Sequence, residues 1–140
     1  MSKVLVLYWS GTGNTEKMAE FVEQGAKSAG AEVSRITCSD FDKTSLGDYS
    51  GIALGCPSMG AEILEEDEFQ PVFDSIKNDL SGKKVALFGS SGWGDGEWMR
   101  NWEEECRGLG ISLACDYVIA NEEPDDEAKD KCTALGAAIS

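Results

Sequence analysis

The stretch KVLVLYWSGTGNTEKMAEFV, Lys3–Val22, decides the fold. Val4-Leu5-Val6-Leu7-Tyr8 is an unbroken apolar run, as expected of a strand covered on both faces. It passes into Ser10-Gly11-Thr12-Gly13-Asn14-Thr15 without an intervening polar strand face. A helix follows at once, because Met18, Phe21, Val22, Ala26 and Ala29 recur at helical spacing, and Gly30 stops it. A doubly covered strand, a short loop and a helix form half of a parallel crossover unit.

Working outward, the same unit recurs to the end of the chain. Lys3–Trp9 reads as the first strand, Glu32–Thr37 as the second, and 38–50 as a loop with a short helix. Gly51–Gly55 is the third strand, followed by a helical stripe of Phe69, Val72, Phe73, Ile76 and Leu80. Lys84–Gly89 is the fourth strand, followed by Trp98, Trp102, Cys106 and Leu109. Ile111–Ala120 carries the fifth, and Ala128, Cys132, Leu135 and Ile139 mark the last helix. Right-handed crossovers put helices on both faces of one sheet, which predicts an α/β three-layer sandwich with a doubly wound, five-stranded parallel sheet. No repeat, low-complexity tract or linker interrupts residues 1–140, so a single domain is expected.

Charge excludes several functions. The chain carries 26 acidic and 12 basic residues, a net charge of -14, and no histidine. Such a field repels nucleic acid and anionic lipid, and attracts basic protein surfaces. Without histidine there is no Ser/His or Cys/His dyad. Cys38, Cys56, Cys106, Cys115 and Cys132 are odd in number and form no C-x-x-C, which fits reduced thiols in the cytoplasm rather than disulfides or a zinc site. The apolar run Val4–Trp9 is too short for a signal peptide or a membrane span.

In open sheets of this kind ligands bind beyond the carboxyl ends of the strands, so three loops matter. Ser10–Thr15 combines two glycines, which let backbone N–H groups converge, with hydroxyl and amide side chains and the positive end of a helix. It holds no acidic residue. It reads as a phosphate cradle of neutral donors, or more simply as a Gly-rich turn capped by Ser10 or Thr15. It is not a P-loop, for no Gly-Lys-Ser/Thr follows, and Gly11-x-Gly13-x-x-Glu16 lacks the third glycine of a dinucleotide fingerprint. After strand three, Cys56-Pro57-Ser58-Met59-Gly60-Ala61-Glu62 offers a polarisable Met59 for an aromatic face, a flexible Gly60 and an accepting Glu62. Read alone, it equally describes a loop with a solvated glutamate. After strand four, Ser90-Ser91-Gly92-Trp93-Gly94-Asp95-Gly96 surrounds a tryptophan with glycines, which suits a ring stacked on a ligand. Trp98 and Trp102 lie on the helical stripe and read as core.

Together these loops resemble the flavodoxins, and the resemblance covers the whole chain. Tyr8–Glu16 is similar to the family's FMN-phosphate signature. Leu54–Gly60 and Leu87–Met99 are similar to the flavin loops of short-chain flavodoxins from anaerobic bacteria. The resemblance implies strand order 2-1-3-4-5 and a non-covalent FMN. Ser10, Gly11, Thr12, Gly13, Asn14 and Thr15 would hold its phosphate. Ser58, Met59, Gly60, Ala61 and Glu62 would meet the ring on one side, with Met59 on its inner face and Glu62 accepting from N3–H. Ser90, Ser91, Gly92, Trp93, Gly94 and Asp95 would meet it on the other, with Trp93 on the outer face. Asn121 would reach the ribityl chain. Gly60 would turn its carbonyl toward N5–H in the semiquinone. Two positions depart from the pattern. Ala61 follows the switching glycine, where a left-handed Cβ costs about 1–2 kcal/mol, so a less stabilised semiquinone is expected. Ser91 stands where relatives carry an aromatic residue, a change expected to bear only on surface packing.

The function so implied is low-potential one-electron transfer between semiquinone and hydroquinone, without substrate turnover, by a cytoplasmic monomer serving basic-faced reductases, hydrogenases or ferredoxin-linked enzymes. The acidic run Glu62, Glu65, Glu66, Asp67 and Glu68 would steer such partners, or simply solvate a loop and helix start. An FMN-dependent reductase shares the fold but needs a substrate pocket where Trp93 would stack. A phospho-acceptor receiver needs acidic residues where Trp9-Ser10 and Gly55-Cys56 stand. A cofactor-free scaffold would leave the three loops unused.

Overall fold

A computed structural model describes residues 2–11, 13–59, 63–92 and 96–140. Five strands, β1 (Lys3–Tyr8), β2 (Glu32–Thr37), β3 (Gly51–Gly55), β4 (Lys84–Ser91) and β5 (Val118–Asn121), form one parallel sheet. Their order is β2-β1-β3-β4-β5. Four α-helices connect them: α1 (Asn14–Ser28), α2 (Phe69–Ile76), α3 (Glu97–Gly108) and α4 (Asp126–Ala138). A 3-10 turn at Lys43–Asp48 supplies the short helix expected within 38–50, and another at Lys77–Asp79 extends α2.

The two faces of β1 explain its unbroken apolar run. Leu5 and Leu7 join Ile52, Leu54, Val85 and Leu87 under α2 and α3, where Phe69, Phe73, Trp98, Met99 and Trp102 fill the layer. The Trp102 indole meets Phe69 and Phe73 edge-on, at centroid distances of 5.4 and 5.9 Å, a favoured aromatic geometry. Trp98 and Trp102 are thus core, as their spacing implies. Val4, Val6 and Tyr8 face the other way, with Ala53, Ala86 and Phe88, against α1 and α4. This layer is thin. A Cβ on Gly25 would stand 2.0 Å from the Thr133 carbonyl oxygen, and one on Gly136 would stand 2.1 Å from that of Val22. The α1–α4 crossing therefore needs both glycines.

Three sequence expectations are corrected. β4 runs two residues further than Gly89, through Ser90 and Ser91, because the backbone keeps pairing with Ala120 and Asn121 of β5. β5 is shorter than 111–120. Leu113 touches β4 only at Val85, and pairing resumes at Phe88 with Val118. Three steps along β4 thus face five along this segment: Ser112 and Ala114 still hydrogen-bond Val85, and residues 115–117 bulge away from the ladder. Leu109 does not extend the α3 stripe: it caps the helix beyond Gly108 and is 37% exposed.

Candidate functional site

A cleft of about 520 Å³ opens beyond the carboxyl ends of β1, β3 and β4, a volume suited to a small organic ligand. Gly11 and Asn14 line it from the first loop, Ser58 and Met59 from the second, and Ser90, Ser91 and Gly92 from the third. The three loops singled out in the sequence thus meet at one place. Thr12, Gly60, Ala61, Glu62, Trp93, Gly94 and Asp95 lie outside the described residues.

The first loop is organised by hydroxyls. Ser10 Oγ accepts from the backbone N–H of Gly13 at 3.1 Å and of Glu16 at 3.3 Å. Gly13 is the N-cap of α1, with φ 94°, a left-handed conformation that favours glycine. Glycine brings no side chain to cap the helix, so the N-cap adds no negative charge, and the first carboxylate of α1 is that of Glu16 in its first turn. Thr15 turns inward: its Oγ1 pairs with Ser90 Oγ at 2.8 Å, in a buried contact between α1 and β4. Ser10 and Thr15 therefore act as scaffold as well as candidate donors.

The second loop leaves β3 at Cys56. Ser58 N–H donates to the Ser90 carbonyl at 3.0 Å, pinning this loop to β4. Met59 and Ile63 exchange two backbone hydrogen bonds, 2.9 and 3.1 Å, as an isolated antiparallel bridge. Beyond it, Glu65 does what its place in an acidic run did not announce. It is only 6% exposed, and its carboxylate accepts from the backbone N–H groups of Asp67, Glu68 and Phe69 at 2.7–2.9 Å. Burial alone would raise its pKa; the three donors outweigh that and hold it below the ordinary glutamate value. Glu65 is thus an internal cap of α2, neither a solvated nor a steering charge. Glu66, Asp67 and Glu68 are exposed.

The end of β4 forms the floor. Ser90 and Ser91, expected in a loop, are the last strand residues and are 5% and 4% exposed. Ser91 lines the cleft and lies 3.5 Å, hydroxyl to hydroxyl, from Ser58, so its role is not surface packing. Sequence reasoning also missed four lining residues: Trp9, Pro57, Glu122 and Glu123. Trp9 and Pro57 sit within the quoted motifs. The two glutamates carry no local signal, and they, rather than Asn121, reach the cleft. Glu122 has φ 55° and donates its N–H to the Ser91 carbonyl at 2.7 Å. Glu123 pairs with Lys17 of α1 at 2.7 Å, and that hydrogen bond holds its carboxyl below the usual range.

The donor set fits a phosphate-bearing, flat aromatic cofactor: a helix start with neutral oxygens and amides, and the apolar surface of Trp9, Pro57 and Met59 in the same cleft. Burial pushes the thiols of Cys38 up to about 11 and of Cys106 and Cys132 up to about 12, away from nucleophilic reactivity. Among the described residues no helix is long and apolar enough to cross a membrane.

A doubly wound sheet with such a cleft defines a cofactor-binding α/β domain of the nucleotide type. The flavodoxin family model matches residues 6–136. A flavodoxin from Clostridium beijerinckii is 47% identical over 135 residues, covering 96% of this chain and 97% of the relative. The solution structure of two-electron reduced Megasphaera elsdenii flavodoxin superposes with a TM-score of 0.89 at 43% identity, covering 97% of each chain. The oxidised Flavodoxin 1 of Bacillus cereus superposes with a TM-score of 0.82 at 28% identity, covering 99% of this chain and 97% of that one. The chain belongs to the flavodoxin family, on its short-chain branch: FMN-binding electron-transfer proteins rather than enzymes.

Proposed function

We propose that this chain, as a single-domain monomer, is a low-potential one-electron carrier that holds FMN in the cleft above β1, β3 and β4 and serves basic-faced redox proteins. The observation that carries this reading is the start of α1. In a chain of net charge -14, the loop that opens α1 at the cleft, Ser10 to Thr15, is free of acidic residues and ends in a glycine N-cap, so the first carboxylate is that of Glu16 within the helix. Ser10, Gly11, Thr12, Gly13, Asn14 and Thr15 would hold the phosphate there by neutral donors and the helix dipole. Ser58 to Glu62 and Ser90 to Asp95 would border the ring, with Met59 and Trp93 on its two faces. Asn121, exposed at the end of β5 and next to the lining Glu122, would contact the ribityl chain at the edge of the cleft.

FMN, when bound, supplies the electron chemistry. The residues of this chain bind and orient it, exclude water from it and surround it with charge. Glu122 and Glu123 at the cleft, together with the net charge, oppose each added negative charge, which favours a low potential for the second electron. About 59 mV corresponds to a tenfold change in a one-electron equilibrium, so a few kcal/mol of repulsion shifts the couple by roughly 100 mV. Salt weakens the distant part.

The test is a reductive titration of the pure protein with added FMN, followed by visible absorption at two salt concentrations. The expected result is uptake of FMN and two resolved one-electron steps, the second at low potential and less negative in salt. A single two-electron step, or steady NAD(P)H oxidation by the pure protein, would instead establish a reductase. A chain that takes up no FMN would sink both. Sedimentation tests the monomer.

A further inference from the structure

Three contacts close a circuit around the cleft. Thr15 Oγ1 meets Ser90 Oγ at 2.8 Å, which ties α1 to β4. Glu122 N–H donates to the Ser91 carbonyl at 2.7 Å, which ties the turn after β5 to β4. Lys17 Nζ meets Glu123 at 2.7 Å, which ties that turn back to α1. β1 and β5 are kept apart in the sheet by β3 and β4, three strand spacings or about 14 Å, so the strand ladder does not join their ends directly. The turn after β5 is also strained: Glu122 is the single non-glycine residue with positive φ among those described, and such outliers mark places the surrounding structure over-determines.

The first two links are internal to the fold. Thr15, Ser90 and Ser91 are buried, and the second link is backbone to backbone. The third is different in kind. Lys17 and Glu123 are half and three-quarters exposed, so their pair is the link that opens most easily. Glu123 lines the cleft itself, whereas Lys17 stands in the first turn of α1, directly after the phosphate-cradle loop. We infer that the Lys17–Glu123 ion pair is a strap over the rim of the cleft, a positioning contact that slows release of the bound cofactor by holding the turn after β5 against α1.

This rests on the assignment of FMN to the cleft, and the sign of one effect separates the strap from simple electrostatics. Glu123 is a negative charge at the rim, and FMN carries a phosphate. If repulsion were its whole effect, Glu123→Gln would slow release. A strap makes the same substitution speed it.

The experiment measures FMN dissociation by stopped flow from wild type, Lys17→Met, Glu123→Gln and the double variant, at low salt and at 1 M NaCl. At low salt each single variant should release FMN about two- to fivefold faster, the scale of an exposed pair, and the double variant no faster than either single. In 1 M salt, where the Debye length is about 3 Å, the ratio to wild type should fall toward one. Slower release from Glu123→Gln, strictly additive single effects, or a ratio indifferent to salt would each overturn the strap. A readout without FMN is amide hydrogen exchange in the ligand-free chain. Lys17→Met should lower protection of the Glu122 N–H, although Lys17 does not bond it, and unchanged protection overturns the proposal. Failure of wild type to take up FMN would overturn the electron-carrier reading, leaving the exchange measurement to judge the strap by itself.

Discussion

α1 and α2 both start at the carboxyl end of the parallel sheet, and their first turns are completed in opposite ways. α2 is closed from within: the buried Glu65 carboxylate takes the N–H groups of Asp67, Glu68 and Phe69 and neutralises the helix end with a full negative charge. At α1, among the described residues, it is the Ser10 hydroxyl that accepts, from the N–H groups of Gly13 and Glu16. A capped helix end is a structural device, whereas an end left to neutral oxygens is a place for an anion. In a strongly acidic chain, six cradle residues without a carboxylate, with glycine at the N-cap, set this helix start apart. α4 follows α2, since Asp125 accepts from Ala128 N–H at 2.9 Å.

The comparison is broken most severely by making α1 like α2. Ser10→Asp would supply α1 with its own carboxylate. A unit negative charge about 4 Å from a phosphate costs about 4 kcal/mol at an effective dielectric of 20, so FMN affinity should fall about a thousandfold. The ligand-free fold should hold its stability or gain up to about 1 kcal/mol. Equilibrium FMN titration and urea unfolding of the same variant check the two halves. Equal losses in both would show that Ser10 matters only to the fold.

The converse change makes α2 like α1. Glu65→Ala leaves three N–H groups without their acceptor and opens a void, which should cost about 3 kcal/mol or more in urea unfolding of the ligand-free chain. The folded fraction should still bind FMN, because Glu65 does not line the cleft. A third substitution tests the joint between α1 and β4. Thr15→Val strands the Ser90 hydroxyl and should cost about 1–2 kcal/mol of stability, with a parallel loss of FMN affinity.

The smallest effect sharpens the comparison by pH. Glu65 titrates below its ordinary value in the fold, so it binds its proton more readily when unfolded. Its contribution is complete above the ordinary glutamate pKa and is lost as pH falls through the lowered folded value. Wild type should lose stability over that acid interval by at most about 1.4 kcal/mol per pH unit from this group. Glu65→Gln should flatten that part of the curve. An unchanged acid limb would mean that other carboxylates dominate.

Where a signal is local, the sequence carries it. The periods of β1, β2 and β3 and of the helical stripes were legible because side chains alternate or recur within one element. Trp98 and Trp102 were legible as core for the same reason. Ser10 to Thr15 stood out because the glycines, hydroxyls and absent charges are all within six residues. Legibility ended where a neighbour decides. Ser90 and Ser91 look like loop residues, yet β5 pairs with them and draws them into β4. Residues 111–117 look like strand, yet they meet β4 only at Val85, through 112–114, and 115–117 bulge away before pairing resumes at Phe88.

The same line divides the site. From its sequence alone this chain is determined as an alternating β/α sandwich with a neutral cradle after β1, a loop with Met59 and Gly60 after β3 and a glycine-rich loop around Trp93 after β4. Tertiary structure alone decided that Glu65 is buried and spent on α2, that Glu122 takes a left-handed turn beneath the cleft, and that Glu123 finds Lys17 across 106 residues. The physical reason is that a propensity or a period is a property of neighbours along the chain. The fate of a carboxylate depends instead on which donors and how much water surround it in space, and only the packed fold sets those.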